Sequence, residues 1–506
     1  MAKHWILIGI AILNMTFRLT FSNTLGYHRD ELLYFSLGNH PAAGYATTPP
    51  LIGILAWMIQ HTLGYSIFAA KLLPSLLSAV MVFIIAAIVK EMGGRSGAQV
   101  IAAIGFTSAM VFLRAFYLFQ PVCFDIFFWT IMFLLFLRYI NKPTDRLLIL
   151  IGIVFGLAML NKYLIFLLLI CLLLILPFTG YRDLFRKRAF YFSLIISLLI
   201  FLPNLIWQIS NRLPVLDHMS KLIETQLVHV NRIQFIIDQF LIPFPAIIIV
   251  IPGLLYLLLS KEMINYRLLG YSIVMTVIIL FVLRGKSYYT AGIFPVFIAA
   301  GAIYWERKIK SMFILYSLAG LMLILLIPML PFGIPIYRAK GMVTYFENLE
   351  RKYGLKFGRN FEDGTIHSLP QDYADMLGWD EIAKNVHKAW EISDKEHCII
   401  YASNYGQAGA ISIIGKKYGL PEPVSFHDAY YYWAPKKFDK EIMELIYVRE
   451  RPSDDIKTLF ADIREIGGIE NKDAREFGTK VYLCRSPGRS FNEFWKEVIQ
   501  RFYDTR

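Results

Sequence analysis

The chain has 506 residues, of which 56% are hydrophobic, and its mean hydropathy is +0.50. So large an apolar fraction excludes a water-soluble protein of this length and indicates that lipid is the main solvent. The formal net charge is +13, and its confinement to the apolar part of the chain indicates phospholipid head groups, and not nucleic acid, as the partner of the excess positive charge.

Apolar sequence fills the chain up to about residue 336 and then thins abruptly. Residues 1–337 hold 25 Lys and Arg against 11 Asp and Glu, whereas the remaining residues hold 26 against 27. We therefore predict an α-helical transmembrane domain over residues 1–336, with extracytoplasmic loops at 22–66 and 210–239, and a soluble α/β domain over residues 337–506.

Apolar runs long enough to cross a bilayer, about 17 to 25 residues each, recur along the first domain. Two shorter runs are separated only by Asn161 and Lys162, which is typical of a closely joined helix pair. The sequence predicts about eleven spans in all. The predicted spans are Trp5–Phe21, Ile67–Val89, Val100–Phe119, Val122–Leu137, Leu147–Leu160, Tyr163–Pro177, Phe190–Trp207, Leu241–Leu259, Leu268–Leu283, Ala291–Trp305 and Met312–Pro331.

Alternate connections between these spans differ in charge. The positive-inside rule assigns the basic connections to the cytoplasm. The N-terminus is then cytoplasmic and the C-terminal domain extracytoplasmic, in a multi-pass protein of the inner (plasma) membrane. The basic connections contain Lys90 and Arg95, Arg138, Lys142 and Arg146, Arg182 to Arg188, Lys261 and Arg267, and Arg307 to Lys310.

The C-terminal domain alternates helical periodicity with short strand-like runs. Residues Asp372–Trp390 form an amphipathic pattern that predicts a helix, and Asn404 is a predicted helix cap. Strands are predicted at Cys398–Ala402, Leu445–Val448 and Lys480–Cys484.

The four cysteines show no metal-type or redox-type spacing. Two of them, Cys398 and Cys484, lie in predicted strands of the extracytoplasmic domain. The sequence leaves open whether these two form a disulfide or remain buried thiols.

An ionisable acidic residue at the depth of the membrane costs free energy, so its presence there indicates a structural or functional role. Asp30 and Glu31 follow the first span together with His28 and Arg29, and Asp125 lies in the first turns of an apolar helix on the same side of the membrane. A solvated charge cluster is the simplest account of an isolated Asp-Glu pair. Because Asp125 lies on the same side of the membrane, the three carboxylates favour a pocket at the outer membrane surface over a solvated charge cluster.

Basic and aromatic side chains are expected on that side as well. Snorkelling accounts for any single cation at a span end, and interfacial belts account for paired tyrosines. Taken together, these residues predict a pocket in which cations bind an anionic lipid head group. The substrate-binding candidates are Asp125, His28, Arg29, Lys71, Arg114, Lys162, Arg284 and Lys286, with Tyr288 and Tyr289 as an aromatic platform.

Several segments, in this order and spacing, resemble the bacterial polyprenyl-phosphate-dependent glycosyltransferases of the GT-C fold, relatives of protein O-mannosyltransferases and of the lipid A aminoarabinose transferase. The resemblance covers nearly the whole chain. It rests on the pair Asp30 and Glu31, Thr47–Leu51 (TTPPL), Asp125, Pro203–Pro214 (PNLIWQISNRLP), Gly285–Ala302 (GKSYYTAGIFPVFIAAGA), Leu369–Trp379 (LPQDYADMLGW) and Asn404–Pro421 (NYGQAGAISIIGKKYGLP).

The resemblance implies an inverting transfer of a monosaccharide from a polyprenyl phosphate to a hydroxyl of a lipid, glycan or protein on the extracytoplasmic side. Asp30, with Glu31 beside it, would carry the catalysis as base. The cations would stabilise the departing phosphate, and Asp125 would hold a sugar hydroxyl, a cation or the acceptor. No phosphate-binding loop for nucleotides and no metal-ligand spacing occurs in the sequence, so we expect metal-independent chemistry without a further cofactor.

A secondary transporter or flippase of a lipid-linked or anionic substrate is the main alternative, since many spans with buried charges also describe a substrate pathway. Transporters usually show repeated halves with charges at the midplane, whereas the charges here gather at one face. A receptor domain on a passive anchor does not require so many spans. The sequence leaves the donor sugar and the acceptor open.

Overall fold

A computed structural model describes residues 2–354, 358–359, 361–362 and 364–504 of the chain. Helices fill the apolar part. These helices are α1 (Ala2–Thr20), α2 (Arg29–Asn39), α3 (Leu51–Leu63), α4 (Ile67–Glu91), α5 (Ser96–Ser108), α6 (Met110–Ala115), α7 (Pro121–Asn141), α8 (Asp145–Met159), α9 (Ile165–Ile175), α10 (Arg188–Ser210), α11 (Pro214–Thr225), α12 (Arg232–Leu241), α13 (Ile247–Leu259), α14 (Arg267–Val282), α15 (Phe294–Lys308), α16 (Met312–Leu326) and α17 (Leu330–Gly333).

The chain is a multi-pass membrane protein, as predicted. Within the described residues, six helical segments are long and apolar enough to cross a membrane, and four shorter apolar helices accompany them. Each of the eleven predicted spans coincides with helical sequence. The positions of most spans therefore follow from the apolar runs alone.

Two predicted spans differ from the observed helices. The run Val100–Phe119 is divided at Ala109, whose backbone is extended, because Met110 and Val111 donate their amides to carbonyls of the segment between α12 and α13. The run Leu241–Leu259 becomes helical as α13 only from Ile247. Pro243 and Pro245 precede it and have no amide hydrogen to donate.

Glycines let α13 and α15 approach until their backbones touch. A Cβ atom built on Gly301 would collide with the carbonyl oxygen of Ile249, and one on Gly253 would collide with that of Phe297. Small residues allow such close crossings in membranes, where association depends on packing. The contact fixes α15, whose preceding segment carries Tyr288 and Tyr289.

The C-terminal part folds as a small α/β domain. Its strands are β1 (Cys398–Ala402), β2 (Glu444–Arg449), β3 (Phe460–Gly468) and β4 (Lys480–Pro487), in the order β1-β2-β4-β3, with β1 parallel to β2 and the other two pairs antiparallel. Its helices are α18 (Ala339–Tyr353), α19 (Gln371–Ala374), α20 (Trp379–Glu391), α21 (Tyr405–Gly409), α22 (Tyr430–Trp433), α23 (Asp454–Leu459) and α24 (Phe491–Asp504).

The three predicted strands are confirmed, while β3 was not predicted. The predicted helix Asp372–Trp390 is interrupted between α19 and α20 at Gly378, whose φ of +89° is accessible mainly to glycine. Cys398 and Cys484 are buried free thiols. They lie on β1 and β4, which β2 separates, so two strand spacings of about 4.8 Å each keep them apart.

The C-terminal domain packs on α2 and the loop after it. The amide of Arg29 donates to the carbonyl of Asp375 at 2.9 Å, and the Tyr430 hydroxyl donates to Ser36 Oγ at 2.7 Å. Thr47 Oγ1 donates to Asp428 at 2.9 Å. The N-terminal end of α2 therefore lies between the membrane helices and the C-terminal domain.

The α13–α15 crossing generates a stability prediction. We expect Gly301→Ala to lower the free energy of unfolding by about 1–3 kcal/mol, because the added methyl group must separate the two backbones. Gly320→Ala is the control, since no atom lies within 4 Å of a Cβ at Gly320. Thermal unfolding of the purified protein in detergent measures both. Equal stability of the two variants would contradict the close crossing.

Candidate active site at the outer end of α2

The start of α2 holds two adjacent carboxylates in fixed orientations. His28 caps the helix, because its Nδ1 accepts a hydrogen bond from the Asp30 amide at 3.1 Å. Glu31 closes the capping box by accepting from the His28 amide at 2.9 Å. Negative charge is favourable in the first turn of a helix. Successive helix positions differ by about 100°, so the two carboxylates face different surroundings.

Glu31 lies in the protein interior and forms an ion pair with Lys71. Both side chains are fully buried, and Lys71 Nζ lies 2.6 Å from Oε2 and 2.7 Å from Oε1 of Glu31. The Phe119 amide donates to Oε1 at 2.8 Å. These contacts, with that from the His28 amide, use the acceptor sites of the carboxylate.

The structure differs here from the sequence prediction, which placed Glu31 among the catalytic residues and Lys71 among the phosphate-binding ones. Both side chains are 0% exposed, so neither is positioned to meet a substrate. A buried ion must be paired to be tolerated, and each group serves as the partner of the other. We infer that this ion pair positions α2.

Asp30 faces outward from the same turn. Its side chain is 33% exposed. Oδ1 accepts from the Tyr405 hydroxyl at 2.9 Å, and Oδ2 accepts from Gln120 Nε2 at 3.2 Å. Each oxygen accepts one hydrogen bond from these neighbours and keeps further acceptor capacity. An oriented, accessible carboxylate of this kind can take a proton from a hydroxyl.

Asp125 and Lys162 lie near each other beside aromatic rings. Asp125 is buried and accepts from Trp129 Nε1 at 3.1 Å, and Lys162 lies close enough for electrostatic attraction. Lys162 Nζ lies 5.3 Å from the ring centre of Tyr288 and 4.6 Å from that of Tyr289. Such cation–π contacts orient an ammonium group without neutralising it.

We treat the two groups of residues as one candidate site. Tyr288 lies within electrostatic range of Asp30 and contacts Lys162. It therefore links the carboxylate of α2 to Asp125 and Lys162. We call this set the outer cluster, and its members are Asp30, Asp125, Lys162, Tyr288, Tyr289 and Tyr405.

Arg284 and Lys286, two further predicted cations, lie just before Tyr288 in the sequence. Lys286 approaches the outer cluster, whereas Arg284 does not. Lys286 lies within electrostatic range of Lys162 and pairs with Glu362, Nζ to Oε1 2.7 Å. Burial opposes ionisation of Glu362, but Lys286 outweighs it and lowers the pKa of that carboxyl. Arg284 is exposed and donates to the carbonyl of Val228 at 3.4 Å, so its partner belongs to the loop 210–239.

The three other predicted binding residues contact the C-terminal domain. Arg114 Nε donates to Asp372 at 2.8 Å, and His28 Nε2 lies 3.6 Å from the same carboxylate. Arg29 lies 3.6 Å from Glu476. These residues, predicted to bind substrate, thus hold acids of the C-terminal domain against the start of α2.

The charges at this contact shift two pKa values. The neighbouring Arg114 and His28 hold the pKa of the half-exposed Asp372 carboxyl well below the usual range. Burial opposes protonation of His28, but Asp372, Asp30 and Asp375 outweigh it and raise the pKa of the ring. Asp372 therefore stays ionised at neutral pH, and the electrostatic contact persists on acidification.

Three residues of the site were missed by the sequence analysis. Gln120 and Tyr405 orient Asp30, and Asp372 orients His28. Each lies in or beside a segment that the sequence analysis quoted, but nothing in one sequence shows that these segments meet. The predicted cap is confirmed, since Asn404 accepts from the amides of Gly406 and Gln407 and so places Tyr405 at the helix start.

Comparison with known proteins bears on the fold. Residues 47–207 match the model of a family described as dolichyl-phosphate-mannose-protein mannosyltransferase. Among solved structures, ArnT from Cupriavidus metallidurans bound to undecaprenyl phosphate superposes with a TM-score of 0.61 at 11% identity, covering 96% of this chain and 98% of that one. The chain has the GT-C glycosyltransferase fold.

The apo state of the same ArnT gives a TM-score of 0.58 at 11% identity, covering 95% of this chain and 98% of that one. No curated protein sequence matches the chain. The predicted resemblance to GT-C glycosyltransferases is confirmed, whereas the predicted roles of individual residues stay predictions.

The buried pair generates a second prediction. We expect Lys71→Met to lower the free energy of unfolding by about 3–5 kcal/mol, because Glu31 is left as an unpaired buried charge. The double variant Glu31→Gln with Lys71→Met removes both charges and should recover much of that loss. Thermal unfolding in detergent distinguishes the two. A single variant as stable as the double variant would contradict a buried ion pair.

Proposed function

We propose that the protein is an inverting glycosyltransferase that moves a monosaccharide from a polyprenyl-phosphate carrier to an acceptor hydroxyl on the extracytoplasmic side of the inner membrane. One observation carries the proposal. A partly exposed carboxylate, Asp30, shares a candidate site with the partly buried cations Lys162 and Lys286 at the boundary between the membrane helices and the C-terminal domain.

Asp30 is the proposed base. It accepts the proton of the acceptor hydroxyl while the hydroxyl oxygen forms its bond to the anomeric carbon. The bond between that carbon and the phosphate oxygen breaks at the same time, and its electron pair leaves with the phosphate. The hydrogen bonds from Tyr405 and Gln120 hold the carboxylate in orientation for this step.

The leaving phosphate gains negative charge, and fixed cations stabilise it most when they are oriented in advance. Asp125 and the two tyrosine rings hold Lys162 in place. Lys286 is paired with Glu362, a partner that is 42% exposed, so a phosphate can replace it as the counter-ion. These two lysines are the proposed phosphate ligands.

The donor class is supported by the similarity to ArnT, which in its solved structure is bound to undecaprenyl phosphate. A lipid carrier also suits a site at the membrane boundary. The cytoplasmic N-terminus, the extracytoplasmic C-terminal domain and the absence of a metal requirement are parts of the same proposal. The acceptor is a hydroxyl of a lipid, glycan or protein.

Replacing the base tests the chemistry. We expect Asp30→Asn to abolish transfer, because an amide cannot take the acceptor proton, while thermal stability stays close to that of the unmodified protein. Asp454→Asn, at a residue 97% exposed on α23, is the matched control. Mass spectrometry of lipid, polysaccharide and protein glycans from cells carrying each variant measures the product. Full product with Asp30→Asn would refute the assignment.

Removing a phosphate ligand tests the electrostatics. We expect Lys162→Gln to lower the transfer rate about 10²–10³-fold, the usual effect of losing one group that stabilises developing charge. Lys308 is an exposed lysine at the C-terminal end of α15. Lys308→Gln is the control and should leave the rate unchanged.

The assay uses the product identified in cells and the protein in detergent micelles. A transferase forms product without a sealed compartment. Activity that appears only in sealed vesicles would instead favour the transporter alternative.

A further inference from the structure

An open cavity of about 440 Å³ lies at the opposite end of α2 from Asp30. It is lined by the last turn of α2, by α3 and by the segment of the C-terminal domain around Lys416 and Glu422. Asn39 in its wall is nine residues along the helix from Asp30, which corresponds to about 14 Å. The cavity is thus separate from the outer cluster but aligned with it along one rigid helix.

Aromatic rings form part of its wall. Trp57 is 43% exposed and Tyr65 is 37% exposed, although each belongs to a residue type that usually buries most of its surface. The ring of His61 lies against Trp57, 4.5 Å between centres. Exposed, neighbouring rings of this kind offer flat apolar faces to the carbon–hydrogen surface of a ligand.

A buried amide in the wall lacks a partner for its oxygen. Gln60 is 6% exposed and lines the cavity. Its Nε2 donates to the carbonyl of Phe35, which fixes the orientation of the amide. Among the residues that the structure describes, Oε1 has no hydrogen-bond partner. A buried acceptor of this kind is costly unless a ligand or water donates to it.

Acceptors outnumber cations in this cavity. His61 Nδ1 donates to the carbonyl of Trp57 at 2.8 Å, and in the neutral ring this leaves Nε2 as an acceptor. Glu422 is a further acceptor, 2.8 Å from His40. Lys416, the lysine that the described residues contribute to the wall, already contacts the Tyr65 ring at 3.6 Å and Asn39 Oδ1 at 3.2 Å. Phosphate, which mainly accepts hydrogen bonds, fits this wall less well than a ligand rich in hydroxyl donors.

The cavity opens beside a surface that suits lipid. The apolar residues Ile54, Met58 and Leu63 of α3 are 40%, 50% and 49% exposed. A ligand that reaches both this surface and the cavity has an apolar anchor and a hydroxyl-rich head.

We propose that the cavity binds the sugar head group of a membrane glycolipid and that this glycolipid is the acceptor. The aromatic faces of Trp57 and Tyr65 hold the ring, and Gln60 and Glu422 accept from its hydroxyls. Because Asp30 lies about 14 Å away along α2, the head group contains more than one sugar ring, with the reacting hydroxyl beyond the part held here. The acceptor role rests on the function proposed above, whereas binding of the head group does not.

Copurification of lipids tests the proposal. The full-length protein is reconstituted in nanodiscs with the total polar lipid extract of its native membrane, isolated again, and its retained lipids are identified by mass spectrometry. We expect a glycolipid to be enriched with the unmodified protein and with Asp30→Asn. Trp57→Ala and Glu422→Gln should each lower that enrichment at least fivefold. Cells carrying Trp57→Ala should form at least fivefold less glycosylated product.

Two control variants remove residues outside the cavity wall. Phe68→Ala removes an exposed aromatic residue of α4, and Lys417→Ala removes a lysine that pairs with Asp380. Both should retain the glycolipid. Retention of phospholipids alone, or glycolipid retention unaffected by Trp57→Ala and Glu422→Gln, would overturn the site.

The two proposals fail in different ways. Normal product from Trp57→Ala cells would overturn the acceptor role of the bound glycolipid. Normal product with Asp30→Asn would instead overturn the proposed role of Asp30 in transfer. Glycolipid retention is measured without any transfer, so it tests the binding site alone.

Discussion

The arrangement around the start of α2 depends on the buried ion pair between Glu31 and Lys71. The pair joins the first turn of α2 to the first turns of α4, and the Phe119 amide joins the segment before α7 to the same carboxylate. Three parts of the chain that are distant in sequence are thereby held at one point. Either charge alone would be expensive at this depth, so the contact favours a single arrangement.

The pair also explains why two adjacent carboxylates differ in role. The helical turn that directs Glu31 into the core directs Asp30 outward, and the hydrogen bond from Tyr405 brings the C-terminal domain to that carboxylate. The membrane helices supply the cations, and the C-terminal domain supplies part of the orientation. Neither part contains the whole outer cluster. The domain is thus a component of the site.

Much of the fold could be predicted from the sequence, because lipid as a solvent requires long apolar runs and each run predicts a helix. The strand at Cys398–Ala402 was also predicted correctly. A short apolar run is too short for a typical helix and therefore favours a buried strand. The sequence did not predict the break at Ala109, because the carbonyls that receive the next two amides come from a distant segment. β3 was not predicted because charged residues interrupt its apolar residues and two glycines end it.

The candidate site was predicted less completely. Asp30, Asp125 and Lys162 are charged residues in or beside apolar sequence. Their free-energy cost near the membrane marks them as unusual even in a single sequence. Lys71 looks the same by this criterion, yet its partner is Glu31, and only coordinates show that it is fully buried. Tyr405 carries no such signal, because a tyrosine in a folded domain is ordinary until its hydroxyl is found 2.9 Å from Asp30.

The position of a bound carrier phosphate tests the central claim most directly. Single-particle cryo-electron microscopy of the protein in nanodiscs with a polyprenyl phosphate would locate it. The account predicts phosphate density within hydrogen-bond distance, about 3 Å, of Lys162 or Lys286, in a cavity that Asp30 also faces. Density at another position, or an Asp30 carboxylate turned away from that cavity, would contradict it.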